Sequence, residues 1–404
     1  MTSLRFLQFS DLHIGRGFRG PPFTLSDEER ETLRSDRETV LKNIAERGGA
    51  REVDLVLIPG DLFEDRRLRE REARVVREVI ERFHPVPVVI APGNRDFYDQ
   101  LSWYHPDVLE QHGIDRWPEN LHLFTSDQFE TIRVDSIDGL RVTGIAHRSA
   151  EARDERLLQE NVVRERGDLN LFMLHGSIVR SPGGGSGTPL PATRRELLNQ
   201  DAEYVALGHR HEERLLREDG FVRAANAGAP MAVSLDDTGN RSVMFGTLTE
   251  DGVDSQSVER VRVCSRNVHD LEWTAGEEES GEDLCRRLDG LFEERGVDEK
   301  DLVRLRWTGE RPSPSLLQSD AFKSFKDRYF HLHVDAGHVS GRLDPASLDD
   351  EASPERTSEG RFVRAMKERM EDATSDERRE IAEKAFRIGL EAFHNEEVDL
   401  DHVL

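Results

Sequence analysis

Five short apolar runs, each closed by a glycine or a polar turn, punctuate the N-terminal two thirds of the chain. Residues 4–9 (LRFLQF) alternate and are apolar enough for a buried strand. Residues 53–59 (VDLVLIP) stop at Gly60, and residues 86–91 (VPVVIA) turn through Pro92-Gly93. Two later runs, 169–174 (LNLFML) and 203–207 (EYVAL), have the same character. Between the first three lie helical stretches. Residues 28–47 place Leu33, Val40, Leu41 and Ile44 on one face, and residues 69–83 do so with Ala73, Val76, Val79, Ile80 and Phe83. Strand, helix, strand is the order of an α/β fold, in which polar loops at the carboxyl ends of rigid strands carry the site.

The pattern changes after Val263. Residues 277–283 are acidic and polar; a helix is expected at 283–295 and an alternating strand at 302–307 (LVRLRW). Residues 316–329 read as a helix and 330–334 (FHLHV) as a strand, so this part forms a smaller α+β unit. His331, His333 and His338 read as a solvated face rather than a second metal site. Residues 340–358 are polar, with Pro345 and Pro354, and read as a loop or disordered segment. Residues 375–395 form a helix whose Ile381, Ala385, Phe386, Ile388, Leu390 and Phe393 make a broad apolar stripe, for packing on its own cap or for a partner.

The chemistry stands just beyond the strand ends. Asp11-x-His13, Gly60-Asp61-x-x-Glu64, Gly93-Asn94-Arg95-Asp96, His175-Gly176-Ser177 and Gly208-His209-x-His211 follow the five runs in order. Together they offer seven ligand side chains, Asp11, His13, Asp61, Asn94, His175, His209 and His211. That set can hold two divalent cations around one bridging carboxylate. Carboxylate, amide and imidazole donors suit Mn²⁺, Fe or Zn²⁺ better than Mg²⁺ or Ca²⁺, which prefer oxygen.

The phrases FSDLHIG, IPGDLFE, APGNRD, MLHGS and YVALGHRHEE resemble the calcineurin-like metallophosphoesterases. More narrowly they resemble the DNA-repair exonuclease branch of SbcD and YhaO, relatives of the eukaryotic Mre-eleven, over about residues 1–265. The resemblance implies a four-layer sandwich of two mixed sheets flanked by helices, with a smaller C-terminal capping region. It implies that Asp11, His13 and His211 bind one metal, that Asn94, His175 and His209 bind the other, and that Asp61 bridges and is catalytic. A DNA phosphodiesterase working through a metal-activated water, Mn²⁺ by preference, is then expected. DNA and an SbcC- or YhaN-type coiled-coil ATPase would be its partners; a homodimer stays open, and no membrane is involved. The expected organisation is a nuclease domain at 1–265, a cap at 266–340, a linker at 341–359 and C-terminal helices at 360–404.

One position departs from the family pattern, which reads Gly-Asn-His-[Asp/Glu]; here Arg95 replaces the His held to stabilise the transition state and protonate the leaving oxygen. Arginine cannot release a proton at working pH but offers a charged bidentate fork to a phosphoryl oxygen. Glu64 occupies a second position where some relatives carry His. Arg95 is therefore expected to act in catalysis and substrate binding, with Arg16 and Arg19 as further phosphate contacts. His84, His105, His112 and His147 are candidate replacement acids. Arg95 also keeps alive a non-catalytic DNA-binding or scaffold subunit of an ATPase complex; a small-molecule phosphodiesterase is the third alternative. The Arg66, Arg67, Arg69, Arg71 cluster reads as a phosphate track or as a solvated helix start, and the glycine run 181–189 as a flap or a plain loop.

Composition changes the picture in two ways. No apolar run approaches eighteen residues, and Met1-Thr2-Ser3-Leu4-Arg5 leads straight into a strand, so neither a membrane span nor a signal peptide is expected. Cys264 and Cys285 match no metal spacing and read as spectator thiols in a reducing cytoplasm. The net charge is −25, although the expected substrate is itself a polyanion. Only six of the 56 Lys+Arg are Lys. A GC-rich genome accounts for the arginines but not for the acid excess, which fits a salt-rich cytoplasm where repulsion is screened. The thermal midpoint should therefore rise between about 0.1 M and molar KCl, more than that of a neutral control protein. A flat or falling midpoint in calorimetry would leave codon bias as the explanation.

Overall fold

The computed structural model describes residues 3–18, 25–151, 156–163, 165–180, 189–274, 280–308, 314–335 and 358–371, with 378, 381–382 and 385–386. Arg19, the glycine run at 181–188, His338, the polar segment up to 357 and most of 375–395 lie outside the described residues. The chain divides into two compact units, Met1–His338 and Val339–Leu404.

The larger unit begins β1 (Leu4–Gln8), α1 (Asp27–Ala50), β2 (Leu55–Ile58), α2 (Glu70–Arg82), β3 (Val88–Ile90), α3 (Pro106–Gln111) and β4 (Leu121–Leu123). It continues through β5 (Glu130–Arg133), β6 (Leu140–Gly144), β7 (Leu169–His175), β8 (Ile178–Val179), β9 (Ala192–Thr193), α4 (Arg194–Leu198) and β10 (Tyr204–Gly208). Then come β11 (Arg214–Glu218), β12 (Phe221–Asn226), β13 (Val243–Thr249), β14 (Gly252–Asp254) and β15 (Glu259–Val261). Thirteen of these strands form one hydrogen-bonded sheet in the order β4-β3-β2-β1-β13-β14-β12-β10-β7-β6-β5, with β11 on β12 and β15 on β13. The two mixed sheets expected are the two halves of this ladder, joined through the short β14.

Period-two alternation sorts the strand residues into layers. Leu4, Phe6, Leu55, Leu57 and Val89 of one half share a core with Leu169, Leu171, Met173, Tyr204 and Ala206 of the other. The halves therefore face each other. The intervening residues point outward: Leu7, Val56, Ile58, Val88 and Ile90 pack with Leu33, Val40, Ile44, Val76 and Ile80 of α1 and α2. On the far side Phe172, Leu174, Val205 and Leu207 pack with Leu197 of α4. Helices, sheet half, sheet half and helix make the four-layer α/β sandwich. Burying such a side chain fully stabilises by about 1.5–3 kcal/mol.

Helix α1 starts at a capping box, with Ser26 Oγ accepting from Glu29 N–H at 3.1 Å and Glu29 accepting from Ser26 N–H at 2.6 Å. Salt bridges stitch it to α2: Arg69 to Glu31 at 2.8 Å, Arg71 to Glu38 at 2.8 Å, and Arg34 to Glu72 at 2.7 Å. Arg66 pairs with Asp99 at 2.6 Å. Three of the four arginines in the 66–71 cluster are thus engaged within the protein.

The rest of the larger unit is β16 (Val268–Thr274), α5 (Gly281–Glu294), β17 (Leu302–Thr308), α6 (Pro314–Leu317), α7 (Asp320–Lys326) and β18 (His331–Asp335). These strands form a parallel sheet in the order β16-β17-β18. The single helix expected at 316–329 is two, because Ser319 adopts extended backbone and caps α7 by accepting from Phe322 N–H at 3.2 Å. Arg266 to Asp36 at 2.6 Å and His331 to Glu29 at 2.8 Å tie this sheet to α1. His331 thereby serves a hydrogen-bonded contact with Glu29. Both cysteines are unpaired. The smaller unit contains α8 (Ser358–Glu371), whose Phe362, Met366 and Met370 cluster with Ala382 and Phe386. No helix among the described residues is long and apolar enough to cross a membrane.

Arg37 falls within the apolar stripe of α1, one turn from Leu33, Val40 and Leu41, and it is wholly buried. Its guanidinium donates to the carbonyls of Leu12 at 2.9 Å, Ala232 at 3.0 Å and Arg16 at 3.3 Å, and so braces the loop after β1. Burial, and then repulsion from Arg16, pushes its pKa down to about 10, still charged at neutral pH. Arg37→Leu should destabilise by about 1–3 kcal/mol for each carbonyl left unpaired, read as a lower urea midpoint. An unchanged midpoint would mean that water replaces the guanidinium.

Candidate metal centre

The parallel pairs β1–β2–β3 and β7–β10 bring their carboxyl ends to one edge of the sandwich. Each of the five motifs leaves one of those ends. The loops after β1 and β2 are zipped together: Asp11 N–H donates to Gly60 O at 3.1 Å, His13 to Asp61 O at 3.0 Å, and Glu64 to Ile14 O at 2.8 Å. Asp11, His13, Asp61 and His209 all sit in the left-handed region, at φ of 56°, 50°, 52° and 87°. For residues with a Cβ that costs energy, and it turns four of the seven side chains toward one point.

Three glycines make the close approach possible. A Cβ on Gly60 would lie 2.4 Å from His175 Nδ1, one on Gly93 2.3 Å from Asp61 Oδ1, and one on Gly208 1.9 Å from Pro59 O. The two sheet halves touch here through backbone and ligands.

Asp11, His13 and His211 place ligand atoms within 4.8 Å of one another, as do Asp11, Asp61 and His175. His13 Nε2 and His211 Nε2 face each other at 3.3 Å. Asp61 Oδ2 lies between two imidazoles, 3.7 Å from His13 Nε2 and 3.4 Å from His175 Nε2, while Oδ1 accepts the Arg95 N–H at 2.8 Å. His209 stands edge-on to His175 with ring centroids 5.3 Å apart. Its backbone N–H donates to Asp11 Oδ1 and Oδ2 at 3.1 and 3.0 Å. Asn94 Oδ1 and His175 Nε2 are buried without a hydrogen-bond partner. Two buried polar atoms left without partners, one of them on the ring beside Asp61, and a cluster of carboxylates and imidazoles fit bound divalent cations.

Three of the four imidazoles are oriented from behind. Nδ1 of His13 meets Glu64 Oε1 at 3.1 Å, that of His175 donates to Pro59 O at 2.8 Å, and that of His211 meets Asp237 Oδ1 at 3.0 Å. All three therefore present Nε2 to the site. Asp96 anchors the Asp61 turn, accepting N–H groups of Asp61 at 3.0 Å, Leu62 at 2.8 Å and Gly93 at 2.6 Å, and the Tyr104 hydroxyl at 2.8 Å. Burial and the Asp61 charge push the Asp96 carboxyl up to about 7.

Electrostatics follow from the packing. Burial alone would raise the Asp61 pKa, but the His175 charge, then that of His13, and the Arg95 N–H hold it well below the usual carboxylate range. His175 shows the reciprocal effect: burial lowers it, and the nearby Asp61 carboxylate lifts it to about 9. Burial and repulsion from His175 keep His209 neutral, down at about 3.

Of the expected substrate contacts, Arg16 reaches Glu64 Oε1 at 3.3 Å and Arg95 has an exposed side chain; against burial, the His13 ring first, then Arg16 and Arg95, hold the Glu64 carboxyl below its usual range. The candidate acids fare less well. His147 lies behind His175, its Nε2 2.8 Å from the His175 carbonyl, His105 caps α3, His112 stacks on Trp103, and His84 is exposed. The supporting role of Asp237 had no signal in the sequence. That of Asp96 stood in plain view within Gly93-Asn94-Arg95-Asp96.

Facing sheet halves with this cage at their shared edge give the chain the frame and the donor set of a metal-binding phosphoesterase fold. The calcineurin-like phosphoesterase family model matches residues 4–213, and the chain belongs to that family. The metallophosphoesterase YhaO of Bacillus subtilis (strain 168) is 24% identical over 283 residues, covering 68% of this chain and 62% of that protein. Among solved structures, TT1561 of Thermus thermophilus aligns with TM-score 0.36 at 13% identity, over 65% of this chain and all 100% of that one. A dimetal phosphatase from Danio rerio aligns with TM-score 0.33 at 12% identity, over 64% and 99% of the two chains.

Asp61→Ala should remove both cations, since both depend on that carboxylate, whereas wild type should retain two in elemental analysis under Mn²⁺ excess. Ligation also requires the His175 ring to lose the proton it carries below about pH 9. Affinity should therefore climb with pH toward that value and fall in acid, with protons released on binding. One cation in wild type, or affinity that does not change with pH, would contradict this arrangement.

Proposed function

We propose that the chain is a DNA phosphodiesterase of the repair-exonuclease type, with Asp11, His13 and His211 holding one cation, Asn94, His175 and His209 a second, and Asp61 shared. The observation that carries the reading is Asp61 Oδ2 set between His13 Nε2 and His175 Nε2, at 3.7 and 3.4 Å. The donor set suits Mn²⁺. When bound, two such cations supply an acidified water and neutralise the charge of a phosphate. The DNA substrate is supported by the Gly60-Asp61-Leu62-Phe63 phrase and by the paired histidines after Tyr204–Gly208. A coiled-coil ATPase as partner and a salt-rich cytoplasm as setting complete the reading.

The chain's own residues then divide the work. Arg95 binds a phosphoryl oxygen with its exposed guanidinium and, through its N–H, fixes Asp61. Arg16, steadied by Glu64, adds a second cationic contact. Neither arginine can protonate a leaving group, and a general acid is worth about 10²–10⁴-fold in rate. Cleavage of DNA is accordingly slow. A non-catalytic scaffold subunit is the second reading, and Arg95 is the residue that favours it.

Wild type should cleave bis-nitrophenyl phosphate, whose phenolate leaves unaided, relatively better than DNA. Arg95→His should gain on DNA by about tenfold or more, while binding DNA more weakly without the bidentate cation. Lower DNA cleavage by Arg95→His at equal metal content would make Arg95 the productive group. Absence of cleavage of either substrate, by either form with both cations bound, would put the scaffold reading in its place.

A further inference from the structure

Two carboxylates outside the proposed ligand sets stand behind the same set of ligands. Glu64 Oε1 is 3.1 Å from His13 Nδ1, and Asp237 Oδ1 and Oδ2 are 3.0 and 3.2 Å from His211 Nδ1. Both are fixed in turn. Asp237 Oδ2 accepts the N–H groups of Val233 at 2.8 Å and Ser234 at 3.0 Å. Arg241, almost wholly buried, donates to the carbonyls of Asp237 at 3.2 Å and His211 at 2.6 Å. Arg16 holds Glu64 at 3.3 Å.

The other set has no such backing. His175 donates to the neutral Pro59 carbonyl at 2.8 Å, and Asn94 is an uncharged amide. Among the described residues, no carboxylate stands behind the His209 ring. A ring N–H given to a carboxylate makes the opposite nitrogen a stronger donor, holds it in position and adds negative charge near the cation. Such partners are typically worth about 10–100-fold in metal affinity.

We infer that Glu64 and Asp237 are positioning residues that make the Asp11–His13–His211 site the tighter of the two. The centre then fills in order, that site first and the Asn94–His175–His209 site last. The inference rests on the two-cation reading proposed above. It also gives Glu64 a task other than catalysis, one that its ion pair with Arg16 supports.

The test is titration of the metal-free full chain with Mn²⁺ alone, followed by calorimetry and by the electron spin resonance of free Mn²⁺. Wild type should show two classes of site, one tight and one weak. Asn94→Ala should abolish the weak class and leave the tight one. In that background Glu64→Gln or Asp237→Asn should each weaken the remaining class by about 10–100-fold. Asp236→Asn, on the neighbouring side chain that is 85% exposed, should change nothing. Loss of the tight class in Asn94→Ala, or wild-type affinity in both Glu64→Gln and Asp237→Asn, overturns the inference. A single Mn²⁺ in wild type at excess overturns the two-cation reading instead. Thermal melting of each metal-free variant checks its fold; if Asp237→Asn does not fold, Glu64→Gln decides alone.

Discussion

Asp61 is a carboxylate only 3% exposed, and an unpaired buried charge would cost far more than any loop could supply. Its partners come from separate parts of the chain: His13 after β1, His175 at the end of β7, and the N–H of Arg95 beyond β3. Satisfying that one group fixes the relative position of both sheet halves. It also accounts for the glycines at 60, 93 and 208, because any Cβ there would intrude on the Asp61, His175 or Pro59 atoms that meet at this point. The left-handed backbone of Asp11, His13, Asp61 and His209 is strain accepted for the same convergence.

The departure at Arg95 sits on top of this frame without disturbing it. The backbone N–H of residue 95 does the structural work, so the side chain is free to differ. An arginine there exchanges proton donation for a permanent charge. Glu64 takes the negative end of the same local exchange: it accepts from Arg16, lies near Arg95 and backs His13. Under the proposed function the site would keep the means to bind metal and phosphate and lack an acid at residue 95, and the difficulty of the reaction would fall on the leaving group.

The large acid excess is partly spent in specific contacts. Glu31, Glu38 and Glu72 receive arginines across the α1–α2 interface, and Asp36 and Glu29 receive Arg266 and His331 from the C-terminal sheet. Exposed pairs such as Arg69–Glu31 are worth at most about 1 kcal/mol each and are weakened by salt. The more buried Arg34–Glu72 pair is better shielded, with side chains 13% and 2% exposed. Arginine suits this use, since its planar fork meets carboxylates in bidentate fashion.

Local pattern alone determined the α/β order, the five strands that deliver the ligands, and the ligand types themselves. Period-two alternation and glycine turns act over a few residues, and the chain carries that information explicitly. What lay beyond it depends on partners far apart in sequence. His211 is oriented by Asp237, 26 residues downstream, within a turn that has no motif. Arg37 interrupts the apolar stripe of α1, and its charge is accommodated there because three carbonyls distant in sequence accept from its guanidinium. The arginines after Gly60-Asp61 looked available to phosphate until α1 brought carboxylates against them. The helix expected at 316–329 breaks where Ser319 caps α7. In each case a charge or polar group goes wherever its desolvation is compensated, and only the assembled fold decides where that is.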